Sequence, residues 1–157
     1  MNNKRAQELI TAYHLEQHPE GGYFAELYTS EEKYEKEGAV RGCAGSIYFL
    51  LANEDISHFH QIDCEELWYF HEGCGLNIHF VDAEGKYRVE KLGKHFENGE
   101  RPMILVRKGE IFAAENLDKE SYTFISCATA PKFKYEGFRL VPREELKELD
   151  LPERLFI

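Results

Sequence analysis

The sequence predicts a mainly β, single-domain protein built as a sandwich or barrel. Three observations favour this class: many short strand-like segments, turn residues between them, and a high aromatic content. Of the 157 residues, nine are Tyr and eleven are Phe, and aromatic side chains favour the half-buried surface of a pleated sheet. The length suits one domain, residues 1–157, with one continuous core.

The elements follow from two periodicities of the apolar residues. Apolar residues recur every three or four positions over residues 3–14, which predicts an N-terminal helix. From residue 22 to about residue 140 the pattern changes to short strands separated by Asn, Asp and Gly turns. Within this region the charged residues 31–39 predict an exposed loop. Pro142, followed by Glu144 and Glu145, predicts a helical tail over residues 142–150.

Charge and hydropathy limit the classes of partner. The formal net charge of −10 argues against a nucleic-acid or anionic-membrane partner, because either needs a basic face. No apolar run approaches the ~20 residues of a membrane span, and the N-terminus shows no signal-peptide pattern. We therefore expect a cytoplasmic protein whose four cysteines are reduced thiols.

The segment from Ser57 to Trp68 carries the strongest functional signal. Residues two apart in a strand project to one face, so His58 and His60 are expected to point the same way. A turn at residues 63–64 would bring Glu66 back beside them. This trio suits a divalent transition metal such as Fe, Mn, Ni or Zn, or proton transfer with a histidine as base. The alternative is that both histidines are solvated strand residues.

This segment resembles the first motif of the cupins, which places a Glu and then a Gly after a His-x-His pair. Glu66 and Gly73 fit those two positions. In the second motif Gly109 matches, but Phe112 stands where cupins usually have a metal-ligand His. A phenyl ring cannot bind a metal ion, so the resemblance leaves at most a three-ligand site.

The chain resembles one branch most closely, the cupin-5 family of predicted sugar-epimerase-like proteins. The similar stretches are 18–24, 47–51, 58–68, 105–114 and 127–138. Lys132 and Arg139 depart from the family pattern, which usually has Gly and Glu there. The resemblance implies a cupin jelly roll, or double-stranded β-helix, with short N- and C-terminal helices, and a homodimer. With the strand pattern it implies a ligand pocket lined by Glu26, Tyr28, Arg41, Tyr48, Trp68 and Phe112.

Three functions remain open at this point. The first is a metal-independent epimerase or isomerase for a sugar-like molecule, with His58 or His60 as base, Glu66 beside them and Tyr48 as acid. The second is a non-catalytic module that binds or senses a small polar metabolite. The third is a metal-dependent enzyme that uses His58, His60 and Glu66 as ligands.

Overall fold

The computed structural model describes residues 3–157, which form two six-stranded sheets facing each other. The first sheet has the strand order β1-β2-β5-β13-β7-β11, and the second has the order β10-β9-β8-β12-β6-β14. The strands are β1 (Glu16–Gln17), β2 (Tyr23–Thr29), β3 (Lys33–Lys36), β4 (Ala39–Gly42), β5 (Gly45–Ala52), β6 (Ile56–Ile62), β7 (Glu65–Gly73), β8 (Leu76–Val81), β9 (Tyr87–Leu92), β10 (Glu100–Arg101), β11 (Met103–Val106), β12 (Ile111–Asn116), β13 (Tyr122–Ala130) and β14 (Phe138–Leu140). This architecture confirms the predicted mainly β jelly roll.

The N-terminal helix, α1, runs over Lys4–Ala12. Asn3 caps it, because its side chain accepts a hydrogen bond from the Ala6 backbone N–H at 3.0 Å. Ala6 and Leu9 are buried against the outer surface of the first sheet, where they pack with Leu50 and Phe124. The helix is therefore held by the apolar stripe that predicted it.

The main core lies between the sheets. Fully buried aromatic side chains dominate it, among them Phe49, Trp68, Phe80 and Phe112. A second cluster lies on the outer surface of the second sheet, where Phe59 and Val81 pack against Leu146, Leu151 and Leu155 of the C-terminal tail. None of the helices in residues 3–157 has the length and apolarity to cross a membrane.

Two predicted elements differ from the structure. The charged segment 31–39 contains β3 and leads into β4, and these two strands form a separate antiparallel hairpin. A helical tail is predicted over residues 142–150, but that range holds one short 3₁₀ turn, Arg143–Leu146, and a second 3₁₀ turn follows at Glu153–Leu155. The chain must lay three buried leucines on the second sheet within a short span, so packing overrides the local helix signal.

Candidate functional site

A cavity of about 360 Å³ opens between the two sheets. The size lies within the usual range for small-molecule sites. Strands β2, β5, β7 and β13 of the first sheet and β6 of the second line the cavity, together with the segment before β2 and the loop after β13. The lining side chains include His18, Glu20, Phe24, Glu26, Tyr28, Phe49, His60, Glu66, Trp68, Cys127, Thr129, Lys132, Phe133 and Tyr135.

A buried ion pair between Glu20 and His60 lies in the wall of this cavity. The His60 Nε2 atom is 2.9 Å from Glu20 Oε2, and the Ser57 hydroxyl donates to Glu20 Oε1 at 2.8 Å. The other ring nitrogen of His60, Nδ1, is 2.7 Å from the carbonyl oxygen of His58. A carbonyl and an ionised carboxylate only accept hydrogen bonds, so both ring nitrogens carry protons and His60 is an imidazolium.

The opposite charges of Glu20 and His60 stabilise each other and offset the cost of burying them. Burial alone would lower the pKa of His60, but the Glu20 carboxylate and the hydrogen bonds to Glu20 and His58 outweigh it and raise this pKa. Burial alone would raise the pKa of Glu20, but the positive charge and hydrogen bond of His60 lower it below its usual value. Glu20 is therefore an ionised carboxylate.

Two glycines after Glu20 bring it to this position. Gly21 has φ +108°, and a Cβ there would lie 1.9 Å from the backbone oxygen of Ile56. Gly22 has φ +82°, where side chains are also strained. The close approach lets the Glu20 carbonyl accept the His58 backbone N–H at 2.8 Å, which ties the segment to β6.

Glu66 is the second buried carboxyl group of the cavity. The Trp68 indole N–H donates to Glu66 Oε1 at 2.5 Å, since the two residues lie on one face of β7. Burial and the nearby negative charge of Glu20 raise the pKa of Glu66 to about 7, against smaller opposing effects of Trp68 and His60. Glu66 therefore exchanges its proton near neutral pH.

His18 completes the polar part of the site. Its Nδ1 atom accepts the Glu20 backbone N–H at 3.2 Å, so this nitrogen carries no proton. Burial lowers the pKa of His18, and the positive charge of His60 lowers it further against the attraction of Glu20. The ring is thus neutral and packs edge-on against Phe24, with 4.7 Å between ring centroids.

Five of the predicted site residues line the cavity: His60, Glu66, Glu26, Tyr28 and Trp68. The expectation that His58 lies beside His60 is wrong, because β6 contains an irregularity. His60 pairs with Phe112 while Ser57 pairs with Ala114, so three residue steps on β6 oppose two on β12. The extra residue makes Ser57, rather than His58, contact the Glu20 carboxylate. The His58 Nδ1 atom donates instead to the Glu20 carbonyl oxygen at 2.9 Å.

Three further predicted residues lie outside the cavity lining. Tyr48 faces the outer surface of the first sheet, where it packs on Tyr13 and Phe124. Phe112 is buried behind His60, with 4.1 Å between their ring centroids. Arg41 binds the loop after β13, as its Nε and Nη2 atoms donate to the Lys132 carbonyl oxygen at 3.0 and 2.6 Å. Tyr48 lies outside because successive side chains of β5 point to opposite faces of the sheet, and its neighbour Phe49 is the one that lines the cavity.

The predicted metal trio of His58, His60 and Glu66 is therefore not assembled. Among residues 3–157, no group of three or more His, Cys, Asp or Glu side chains is arranged to hold a metal ion. The contacts of His60 agree, because its two ring nitrogens are already engaged by the Glu20 carboxylate and the His58 carbonyl oxygen. Phe112, which stands where cupins usually have the fourth ligand, pairs with His60 across the β12–β6 ladder, and its phenyl ring cannot bind a metal ion.

Sequence reasoning missed His18, Glu20 and Cys127 as cavity residues. The signal for the first two is the segment His18-Pro19-Glu20-Gly21-Gly22, whose proline and paired glycines are typical of a turn and do not reveal a cavity. Cys127 faces Trp68 across the β13–β7 ladder. Burial raises the pKa of the Cys127 thiol well above its usual value, with added repulsion from Glu66 and Glu20.

The sequence matches the family described as Cupin_5, Cupin superfamily (DUF985), over residues 7–141. It is 30% identical over 164 residues to the uncharacterized protein YML079W of Saccharomyces cerevisiae, covering 94% of this chain and 81% of the yeast protein. Protein SO0799 from Shewanella oneidensis is similar in structure, with a TM-score of 0.88, 33% identity, and coverage of 100% of this chain and 99% of that one. A hypothetical protein from Leishmania major has a TM-score of 0.83 and 30% identity, covering 95% and 93% of the two chains.

The match to the family spans the residues that build the cavity. It includes the segment before β2, the β6–β7 pair and the loop after β13. The structural similarity extends over the whole chain. Sequence and fold together show that this chain belongs to the cupin superfamily, in the Cupin_5 family described as DUF985.

Proposed function

We propose that the protein binds a small, sugar-like carbonyl compound in the cavity and isomerises or epimerises it by proton transfer, with Glu66 as the acid–base residue. One observation carries the proposal: a buried Glu66 carboxyl lies in the cavity wall together with the Glu20–His60 ion pair. The aromatic and polar side chains of the lining suit a ligand that is partly apolar and partly hydroxylated.

The chemistry follows from the protonation states. A general acid–base group works best when its pKa is close to the operating pH, and the buried Glu66 has a pKa of about 7. As a carboxylate, Glu66 takes a proton from the carbon beside the substrate carbonyl, which leaves an enolate and a neutral carboxyl. Return of that proton to the former carbonyl carbon, with transfer of the neighbouring hydroxyl proton to the carbonyl oxygen, completes an isomerisation. Epimerisation instead needs a proton from water on the opposite face of the enolate, while Glu66 keeps the proton that it took until solvent removes it.

His60 has a different role from the base expected from sequence. Both of its ring nitrogens already donate, so it supplies a fixed positive charge near the enolate oxygen rather than a site for a proton. Charge held in place before the reaction is an effective way to stabilise a developing negative charge. Tyr48 drops out as the acid because it lies on the outer surface of its sheet.

Deuterium exchange tests the proposal directly. The protein is incubated in deuterated water with hydroxyketones, aldoses and keto-sugar nucleotides, and label at carbon is followed by NMR. We expect exchange with at least one compound, and a loss of at least about 100-fold for Glu66→Gln. Glu66→Gln keeps an acceptor for Trp68, and Glu65→Gln, an exposed neighbour on β7, is the matched control.

A non-catalytic binding module is the second candidate. It is favoured by the hydrogen bonds that already hold His60 and Glu66, since such fixed groups also suit recognition without turnover. Trp68 fluorescence reports binding, because this sole tryptophan lines the cavity. A compound that changes Trp68 emission but shows no exchange with the folded protein would favour this candidate over the enzyme.

A further inference from the structure

The loop of residues 131–137, called the cover loop below, forms much of the cavity mouth. Lys132, Phe133, Lys134, Tyr135 and Glu136 all line the cavity. The loop lies between β13 and β14, and its regular structure is one short 3₁₀ turn at Tyr135–Gly137. Its position therefore depends on contacts with other parts of the chain.

Lys132 bonds to Glu26 and Thr29 on β2, and the Phe133 N–H donates to Thr129. Further contacts come from the β3–β4 hairpin, about 90 residues earlier. Arg41 donates to the Lys132 carbonyl oxygen from two nitrogens, at 3.0 Å from Nε and 2.6 Å from Nη2. The Lys132 backbone N–H donates to the Gly42 carbonyl oxygen at 2.9 Å. Lys134 Nζ donates to the Val40 carbonyl oxygen at 3.2 Å.

Arg41 also joins the cover loop to the turn between the two strands that carry His60 and Glu66. Its Nη1 atom is 3.0 Å from Asp63 Oδ2, and its side chain is only 12% exposed. A Cβ on Gly137 would lie 2.2 Å from Asp63 Oδ1, so the end of the cover loop rests on the same carboxylate. The rigid fork of a guanidinium can hold both partners at once, whereas a lysine ammonium is a single point charge.

We propose that Arg41 is a positioning residue that fixes the cover loop over the cavity mouth and thereby shields Glu66 and Trp68 from water. Sequence similarity suggested a ligand contact for this arginine, and its hydrogen bonds to Lys132 and Asp63 explain it without one. The fixed loop also places Lys132 Nζ 2.7 Å from Glu26 Oε1, an ion pair at the cavity mouth. The catalytic benefit of this shielding rests on the proposed function, but the loop position does not.

Two physical readouts test Arg41 without any substrate. Acrylamide quenching of Trp68 fluorescence measures access to the cavity, because Trp68 lines it and is 1% exposed. Hydrogen exchange followed by mass spectrometry measures opening of the peptide that contains residues 131–137. For Arg41→Gln we expect clearly stronger quenching and about tenfold faster exchange in that peptide, since charge-assisted hydrogen bonds are lost.

Arg41→Lys and Arg5→Gln complete the experiment. Arg41→Lys keeps the charge and should behave like Arg41→Gln, though less strongly, because one ammonium cannot span Lys132 and Asp63. Arg5→Gln removes a surface arginine that pairs with Glu72, and it should match the wild type because neither residue lines the cavity. If Arg41→Gln does not fold, the quenching and the hydrogen exchange of Arg41→Lys alone test the inference.

Wild-type quenching and exchange in a folded Arg41→Lys and Arg41→Gln would overturn the inference. The melting temperature of each variant separates a local opening from general loss of structure. The result is independent of the deuterium-exchange assay, so a missing reaction leaves the cover loop test intact. Faster exchange throughout the protein, rather than in the cover loop, also counts against a positioning role.

Discussion

The pKa values of two carboxyl groups in one cavity shift in opposite directions because their neighbours differ. Glu20 faces the imidazolium of His60 and the hydroxyl of Ser57, and these partners keep its pKa low despite burial. Glu66 is held by the neutral indole of Trp68 and is repelled by Glu20, so burial prevails and its pKa rises to about 7. Separated pKa values of this kind are typical of sites that move protons.

The raised pKa of Glu66 predicts how stability depends on pH. Burial raises this pKa from 4.5 to about 7, so between those values the folded protein holds a proton that the unfolded chain has released. Stability therefore falls as pH rises through this window, by roughly 3 kcal/mol from this group. The raised pKa of His60 acts in the same direction, because stabilisation by an imidazolium is lost as pH rises through its folded-state pKa.

Urea unfolding of Glu66→Gln between pH 5 and pH 9 isolates the part that comes from Glu66. We expect the variant to lose less stability than the wild type over this range, with a difference of up to about 3 kcal/mol. Glu65→Gln should keep the wild-type slope, since Glu65 is exposed. The other titratable groups near Glu66 are the same in the wild type and in Glu66→Gln, namely Cys127, Glu20, His18 and His60. Identical slopes for Glu66→Gln and wild type would contradict the assignment.

At the level of strands, period-two patterns located the sheets but not the faces of every residue. Glu66 and Trp68 share a face because β7 is regular between them, so their place in the cavity could be predicted. His58 could not, because the irregularity of β6 depends on pairing with β12, more than 50 residues later. A local sequence pattern does not predict pairing between strands that are so far apart in the chain.

The segment before β2 shows the same limit. Paired glycines such as Gly21 and Gly22 indicate a turn, but their tight contact with β6 is a tertiary feature that brings Glu20 to His60. Without knowledge of this contact, the sequence predicts only that Glu20 is an ordinary charged residue in a turn. The carboxylate that sets the charge of His60 is therefore found only in the structure.

A glycine comparison tests the importance of this close approach. Gly21→Ala would place a methyl group 1.9 Å from the Ile56 carbonyl oxygen at φ +108°. We expect a loss of more than about 2 kcal/mol in unfolding free energy, because the backbone must move as well as bear the strain. Gly38→Ala is the matched control, since it has φ +80° but no atom within 4 Å. Its cost should be about 1–2 kcal/mol, from backbone strain alone.

Chemical denaturation and Trp68 emission measure the two effects separately. The Gly21→Ala variant should also shift Trp68 emission, because movement of Glu20 changes the charge near Glu66. Gly38→Ala lies in the β3–β4 connection and should leave that emission unchanged. Equal destabilisation by the two substitutions would show that the backbone contact with Ile56 has little effect.

In the whole molecule, the cavity and the terminal segments that stabilise the sheets lie in different places. The cavity belongs to the space between the sheets, whereas helix α1 and the C-terminal tail cover their outer surfaces. Arg154 of the tail donates to both oxygens of the buried Glu115 on β12, at 2.7 and 2.9 Å. Burial of Leu155 completes this attachment. The tail therefore stabilises the second sheet from behind without lining the cavity.

Substitutions in the tail should consequently change stability without changing the site. Leu155 is 0% exposed, so Leu155→Ala should lower the unfolding free energy by about 2–5 kcal/mol. Ile157→Ala removes a similar apolar group that is 77% exposed and should cost less than about 0.5 kcal/mol. In both folded variants, Trp68 emission and its acrylamide quenching should equal those of the wild type, since neither residue contacts the cavity. A large change in quenching for Leu155→Ala would mean that the tail and the cavity are coupled through the paired strands β12 and β6. Of these, β6 carries His60 in the cavity wall.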